Sequence, residues 1–326
     1  MMFSSWLSLL ISALIVVPSF TFGESRASLP GVPADLITIN PLPEEVAHYE
    51  KRYPFSLESG QKTLIGVYHK PLTTPPPAGF PAVILFHGFR GSKIGHGSSY
   101  IRVATSLSKR GIAVFRVDLA GCGDSEGLPE AVPLTEYMQN CEDIVNKIAE
   151  HPDIDINRMG LAGFSYGCHL ALAIAKKYDQ KLINVKAISI WAPIADGTLL
   201  FKELLDKVRV DNPGNSNNNN LDQLVSLCKE FGFLSFPLIL MEGDIGILCS
   251  IHDYILINHL KPSTKILHLQ GEKDLIISDQ QRRIFIYGSP KNVSFVHFPE
   301  TGHGFGGSPH EKAITETIAS HFEESL

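Results

Sequence analysis

The stretch that decides the fold is Arg158-Met-Gly-Leu-Ala-Gly163-Phe164-Ser165-Tyr166-Gly167-Cys168-His-Leu-Ala-Leu-Ala-Ile-Ala-Lys-Lys-Tyr178. Residues 158–163 form a short apolar run bounded by glycine, the pattern of a strand buried on both faces. Residues 166–178 are rich in Ala and Leu, and the spacing predicts a helix. Between them lies G-x-S-x-G. A strand that turns directly into a helix forces its central serine into a strained conformation that lifts the hydroxyl clear of the sheet edge. The flanking positions must lack side chains for helix and strand to approach, hence Gly163 and Gly167. With 27 glycines in 326 residues, the bare pattern arises by chance in very roughly one such chain in six. The strand-turn-helix setting is therefore what gives it weight, and Ser165 is the candidate nucleophile.

Outward from this turn the chain alternates short apolar runs with amphipathic segments. Residues 82–86, 112–117, 185–191, 264–270 and 293–298 read as further strands. Residues 101–110, 134–150 and 309–322 read as helices, and residues 55–59 and 63–70 as two strands joined at Gly60-Gln61. Residues 73–79 hold three consecutive prolines and form a surface loop. Alternating strands and helices imply an α/β chain with a mostly parallel sheet covered on both faces. One interval breaks the rhythm. Residues 195–262 are far too long for an ordinary connection. The Asn-rich run at 215–220 lies among helical or apolar pieces at 198–208, 221–231 and 247–260. They read as an inserted cap, since Phe231, Phe233, Phe236 and residues 238–241 are too apolar for a disordered loop.

A nucleophilic serine needs a base and the base needs a carboxylate. His303 stands in a Gly-flanked loop after the last strand, and Asp274 just past the strand 264–270. Both positions fall on the edge where Ser165 lies, in the order Ser, Asp, His. Glu272 and Asp279 are the alternative acids; the first reads as a solvated turn residue and the second as part of the following helix. An oxyanion formed at Ser165 needs two N–H donors. Tyr166 supplies one at a helix N-terminus. The other is expected from the loop after residues 82–86, from Phe89 with Arg90 as second choice. His87 reads as a residue that shapes this loop, and His169 as a packed or hydrogen-bonded residue of the helix. Asp118 and Asp124 read as turn residues. Lys93, His96 and Arg90 read as exposed loop residues, and Asp253 and Glu242 as solvated.

At these residues the sequence resembles bacterial α/β hydrolases of the cinnamoyl (feruloyl) esterase-like group. The resemblance rests on Phe86-His-Gly-Phe-Arg-Gly-Ser-Lys-Ile94, Arg116-Val-Asp-Leu-Ala-Gly-Cys-Gly-Asp-Ser-Glu-Gly127, Gly163 to Gly167 and Trp191-Ala-Pro-Ile-Ala-Asp196. It runs from about Thr63 to Phe322 and is weakest over the Asn-rich interval. It implies the α/β-hydrolase fold with an inserted cap. It implies a carboxylic-ester hydrolase, and Phe89 and Tyr166 as the oxyanion donors; acyl transfer by Ser165, His303 and Asp274 calls for no cofactor or metal. Tyr166 and Cys168 depart from the smaller or aliphatic residues usual at those positions. An amidase or peptidase, a thioesterase or an acyltransferase would use the same residues, and a noncatalytic binding protein would share the fold.

Composition narrows the classes further. The chain is 44% hydrophobic and 19% charged with a formal net charge of −6, which fits a globular protein acting on a small molecule and gives no basic stripe for nucleic acid. Residues 1–23 carry no charged side chain. They hold an apolar stretch from Trp6 to Val17, too short for a comfortable membrane span, followed by Pro18 and small residues. They read as a secretory signal, with a membrane anchor as the alternative, so a secreted or periplasmic location is expected. The expected layout is this signal, an irregular lead-in at 24–54, a core at 55–194 and 263–326, and the cap at 195–262. Five cysteines show no metal spacing. Most read as buried apolar residues, although Cys228 and Cys249 flank one segment and could pair.

Overall fold

Phe80–Phe86 is buried along its whole length, and it is the strand about which the molecule is arranged. The structure is a computed structural model that describes residues 49–179, 183–211, 234–235, 239–240 and 242–326. The expected signal and most of the expected lead-in, the helix expected at 221–231, the Asn-rich run and Cys228 lie outside them. Contacts divide the chain into Met1–Pro43 and Glu44–Leu326, and the described residues all belong to the second unit.

The strands are β1 (Glu50–Ser59), β2 (Lys62–Pro71), β3 (Phe80–Phe86), β4 (Ala113–Val117), β5 (Ile154–Phe164), β6 (Val185–Trp191), β7 (Leu234–Ser235), β8 (Ile239–Leu240), β9 (Lys265–Gly271) and β10 (Val293–Phe298). The helices are α1 (Ser99–Lys109), α2 (Leu134–Ala149), α3 (Tyr166–Tyr178), α4 (Gly197–Asp211), α5 (Glu242–Cys249), α6 (Asp253–Leu256), α7 (Asp279–Gly288) and α8 (Glu311–Ser325). Eight strands form one sheet in the order β1-β2-β4-β3-β5-β6-β9-β10. The first two join antiparallel, and all pairings from β4 onward are parallel. Helices α1 and α8 pack together on one face, while α2 and α3 pack together on the other.

The parallel strands all end at one edge, so the loops after β3, β5, β9 and β10 emerge together. The strand order reverses at β3, which lies between β4 and β5. A crevice opens at such a reversal because the flanking connections leave toward opposite faces. The loop after β3 and the turn after β5 meet there, with Phe86 level with Gly163.

The structure moves several expected boundaries. β1 begins at Glu50, within the expected lead-in; it is an edge strand, exposed along most of its length, which hides any hydrophobic alternation. Pro54 is tolerated there because an edge strand leaves one row of backbone groups unpaired. β5 begins at Ile154, four residues before the expected start. The interval after β6 holds α4, the small β7-β8 pair, and α5 with α6 where one helix was expected at 247–260. The break comes at Ile251, whose carbonyl accepts from Gly197 N at 2.8 Å. Gly197 is pressed so close that a Cβ there would lie 1.7 Å from the Leu248 carbonyl oxygen.

Candidate active site

Ser165 caps α3 with φ 52° and ψ −120°, a conformation that costs an L-residue on the order of 1–3 kcal/mol. The surroundings hold it. Its N–H donates to Trp191 O at 2.8 Å and its carbonyl accepts from Cys168 N at 2.9 Å. The flanking glycines have no room for side chains. A Cβ at Gly163 would lie 2.1 Å from Gly167 O, and one at Gly167 would lie 2.1 Å from Phe86 O.

The carboxylate of Asp274 is fully buried and accepts four hydrogen bonds. Oδ1 accepts from the N–H groups of Ile276 (2.8 Å) and Ile277 (2.9 Å), and Oδ2 from Gln270 Nε2 (2.9 Å) and His303 Nδ1 (2.8 Å). With Nδ1 donating, the neutral His303 ring keeps its lone pair on Nε2. The ring packs 4.9 Å from that of Phe164, the residue before Ser165. Lys273 N donates to Thr301 O at 2.9 Å, and a Cβ at Gly271 would lie 2.3 Å from that same oxygen, so the Asp274 and His303 loops are in close contact. The alternative acids are elsewhere. Glu272 is exposed, and Asp279 opens α7, bonded to Arg282 and Arg283.

After β3, Gly91 N donates to Gly88 O at 3.0 Å and closes a turn with Phe89 and Arg90 at its centre. Arg90 takes φ 47°. His87 accepts from Leu119 N through Nε2 (3.0 Å) and donates through Nδ1 to Gly88 O (2.8 Å). Burial lowers its pKa, so it is a neutral brace, as the sequence suggested. Ser165, His303, Phe89 and Tyr166 line one cavity of about 500 Å³. Its remaining wall includes Leu200, Phe201 and Leu204 of α4 and Leu248 of α5.

Three residues read as exposed or solvated, Lys93, Arg90 and Asp253, are not. Lys93 is buried and forms ion pairs with Asp118, itself fully buried, and with Asp124. Asp118 also accepts from the N–H groups of Lys93 (2.5 Å) and Asp124 (2.9 Å), which ties the loop after β3 to the loop after β4. Arg90 donates through Nη2 to Asp244 of α5 at 2.9 Å. Asp253 is completely buried and accepts from His169 Nδ1 at 2.7 Å. Sequence alone missed these pairs because each joins segments 25 to 154 residues apart in the chain. Their only trace is a charged residue among apolar neighbours. The Gln270 bond spans only four residues, but a glutamine at a strand end carries no mark of the carboxylate it will meet. His96, expected as an exposed loop residue, is exposed and lines the cavity, its ring against Gly304 and Gly306. Cys122, Cys141 and Cys168 are buried thiols, and Cys249 is a half-buried one. Among the described residues, no group of three or more His, Cys, Asp or Glu side chains is placed to hold a metal, and no helix is long and apolar enough to cross a membrane.

Residues 80–214 match the family model described as serine aminopeptidase, S33. Among curated proteins the chain is 31% identical over 98 residues to polyketide transferase ATR5 of Stachybotrys chlorohalonatus, covering 29% of this chain and 31% of that one. It is 27% identical over 170 residues to esterase FrsA of Yersinia pestis, covering 51% of this chain and 38% of that one. The chain thus spans about a third of the length of the curated relatives it matches. Among solved structures it is similar to ferulic acid-bound Est1E from Butyrivibrio proteoclasticus (TM-score 0.64, 18% identity, 83% of this chain and 98% of that one). It is also similar to the α/β hydrolase GrgF from Penicillium sp. sh18 (TM-score 0.59, 18% identity, 85% of this chain and 99% of that one).

Proposed function

We propose, for a chain that has the α/β-hydrolase fold, that it is a serine hydrolase of carboxylic esters. The observation that carries the reading is the joint placement of Ser165, held in a strained turn, and the His303–Asp274 pair around one cavity. The similarity to esterases supports the same reading.

In the proposed reaction, His303 Nε2 takes the Ser165 proton as Oγ attacks the ester carbonyl. The carbonyl electron pair moves onto oxygen, where the Phe89 and Tyr166 N–H groups stabilise it. Asp274 holds the imidazole tautomer and faces the imidazolium. When the tetrahedral adduct collapses, the C–O bond to the alcohol breaks and His303 returns its proton to the leaving alkoxide. Water then repeats the sequence on the acyl-enzyme and restores Ser165. The insertion between β6 and β9 acts as a cap. Its apolar wall of Leu200, Phe201, Leu204 and Leu248 favours an apolar acyl or alkoxy group.

The test is hydrolysis of p-nitrophenyl butyrate, its thioester counterpart and an aminoacyl p-nitroanilide by the wild type, Ser165→Ala and Asp274→Asn. The ester is expected to be the preferred substrate, and both substitutions to lower kcat by about 10⁴-fold. A fluorophosphonate should label the wild type alone at Ser165. Full esterase activity in Ser165→Ala would remove the assignment. Preference for the anilide would favour the aminopeptidase chemistry named by the matching family model, which uses the same tetrahedral steps.

A further inference from the structure

Arg90 occupies the third position of the turn from Gly88 to Gly91, where φ 47° favours glycine. An arginine there carries backbone strain that something must offset. Its side chain is 8% exposed and runs away from the turn to Asp244 of α5, whose side chain is 1% exposed. Nη2 donates to Asp244 Oδ2 at 2.9 Å and Nη1 to Val132 O at 3.4 Å, and the guanidinium lies 5.1 Å from the Phe89 ring. Asp244 belongs to the same helix as the cavity-lining Leu248. The turn that presents the Phe89 N–H is therefore joined by a buried ion pair to the insertion that walls the cavity.

We propose that Arg90 is a positioning residue for the oxyanion turn, and that the insertion holds it in place through Asp244. The proposal rests on the reading of the chain as a serine hydrolase. A buried cation is stable only with its partner. Withdrawal of α5 removes that partner from Arg90 and with it the contact that offsets the strain at φ 47°. The Phe89 N–H then leaves the oxyanion position. The hole is thus complete only when the insertion is seated. A charge that develops late in the reaction is stabilised only over a closed cavity, while the apolar walls bind the ground state without help from Arg90.

The experiment compares wild type, Arg90→Gln, Asp244→Asn and the double variant with p-nitrophenyl butyrate. It adds inhibition by an alkyl trifluoromethyl ketone, which forms a tetrahedral adduct, and by the matching methyl ketone, which does not. Each single variant is expected to lower kcat about 10²-fold, the effect of losing one oxyanion donor, with KM within about twofold. The double variant should be no worse than either single one. Affinity for the trifluoromethyl ketone should fall in parallel with kcat, and that for the methyl ketone should hold. Asp244→Glu keeps the carboxylate and should recover most of kcat; it also serves if Asp244→Asn does not fold. Wild-type kcat in Arg90→Gln or Asp244→Asn overturns the proposal. So does a change confined to KM, which would make Arg90 a substrate contact, or a multiplicative loss in the double variant. If Asp244→Asn does not fold, kcat below a tenth of wild type in Asp244→Glu also overturns it. A wild type that hydrolyses neither ester, thioester nor anilide removes the hydrolase reading and this proposal together; loss of activity in Ser165→Ala with full activity in Arg90→Gln removes this proposal alone.

Discussion

Ser165 keeps its unusual backbone because its neighbours leave no alternative. The strand before it and the helix after it converge until two glycines touch backbone atoms, and an ordinary turn no longer fits. Gly167→Ala tests this at the scale of one methyl group. The new Cβ would meet Phe86 O at 2.1 Å, and main-chain atoms of a buried strand cannot swing aside as a side-chain tip can. The substitution is expected to lower the free energy of unfolding by about 2–4 kcal/mol, through strain in a packed site, as read from urea denaturation. Asp274 is held by a complementary device. Its four donors satisfy the carboxylate while it faces His303. A carboxylate bonded in this way is fixed in direction, which the proposed mechanism requires of it.

Between elements, the connections that matter are buried charges. Lys93 joins the loop after β3 to Asp118 after β4. Arg116 of β4 donates to Lys93 O at 2.5 Å and to His69 Nε2 of β2 at 2.9 Å. His69 in turn donates to Glu50 of β1 at 2.6 Å. One network thus runs from the edge strand to the loop that carries the turn at Phe89 and Arg90. Lys93→Met should leave Asp118 as an unpaired buried anion and cost about 3–5 kcal/mol. Chemical denaturation measures the loss, and Lys93→Met with Asp118→Leu should recover much of it because the uncompensated charge is then gone.

The response of the whole molecule to acid follows from groups held away from their ordinary ionisation. Burial pushes His268, packed between Phe285 and Phe295, down to about 3, and His321 down to about 4. For both, the unfolded chain takes up protons first, so their contribution is complete above about pH 6.5 and fades as pH falls toward those values. Burial alone would raise Glu50, but the hydrogen bond from His69, with the hydrogen bond and charge of Arg52, outweighs it and holds the carboxyl at about 2. Its contribution is present above about pH 4.5 and is lost between there and about 2. Stability should therefore decline in two overlapping stages on acidification. His268→Leu is expected to flatten the decline between pH 6.5 and 3, and Glu50→Gln the part below 4.5. Urea midpoints from pH 8 to pH 2.5 would reveal both. Identical pH profiles in wild type and His268→Leu would show that this buried ring does not titrate with unfolding.

The sequence by itself determined the alternation of strands and helices, the turn at Ser165, and the candidate positions of Asp274 and His303. These are local patterns: buried strands read as apolar runs, sharp turns need glycine, and residues just after parallel strands share one edge. Tertiary structure decided which charges are buried and with whom. Lys93, Arg90, Asp118 and Asp253 look like solvated or turn residues because their partners are 25 to 154 residues away or on a separate helix. Nothing in a residue's immediate sequence records a partner that only folding brings alongside, and the energy of a buried charge depends almost entirely on that partner.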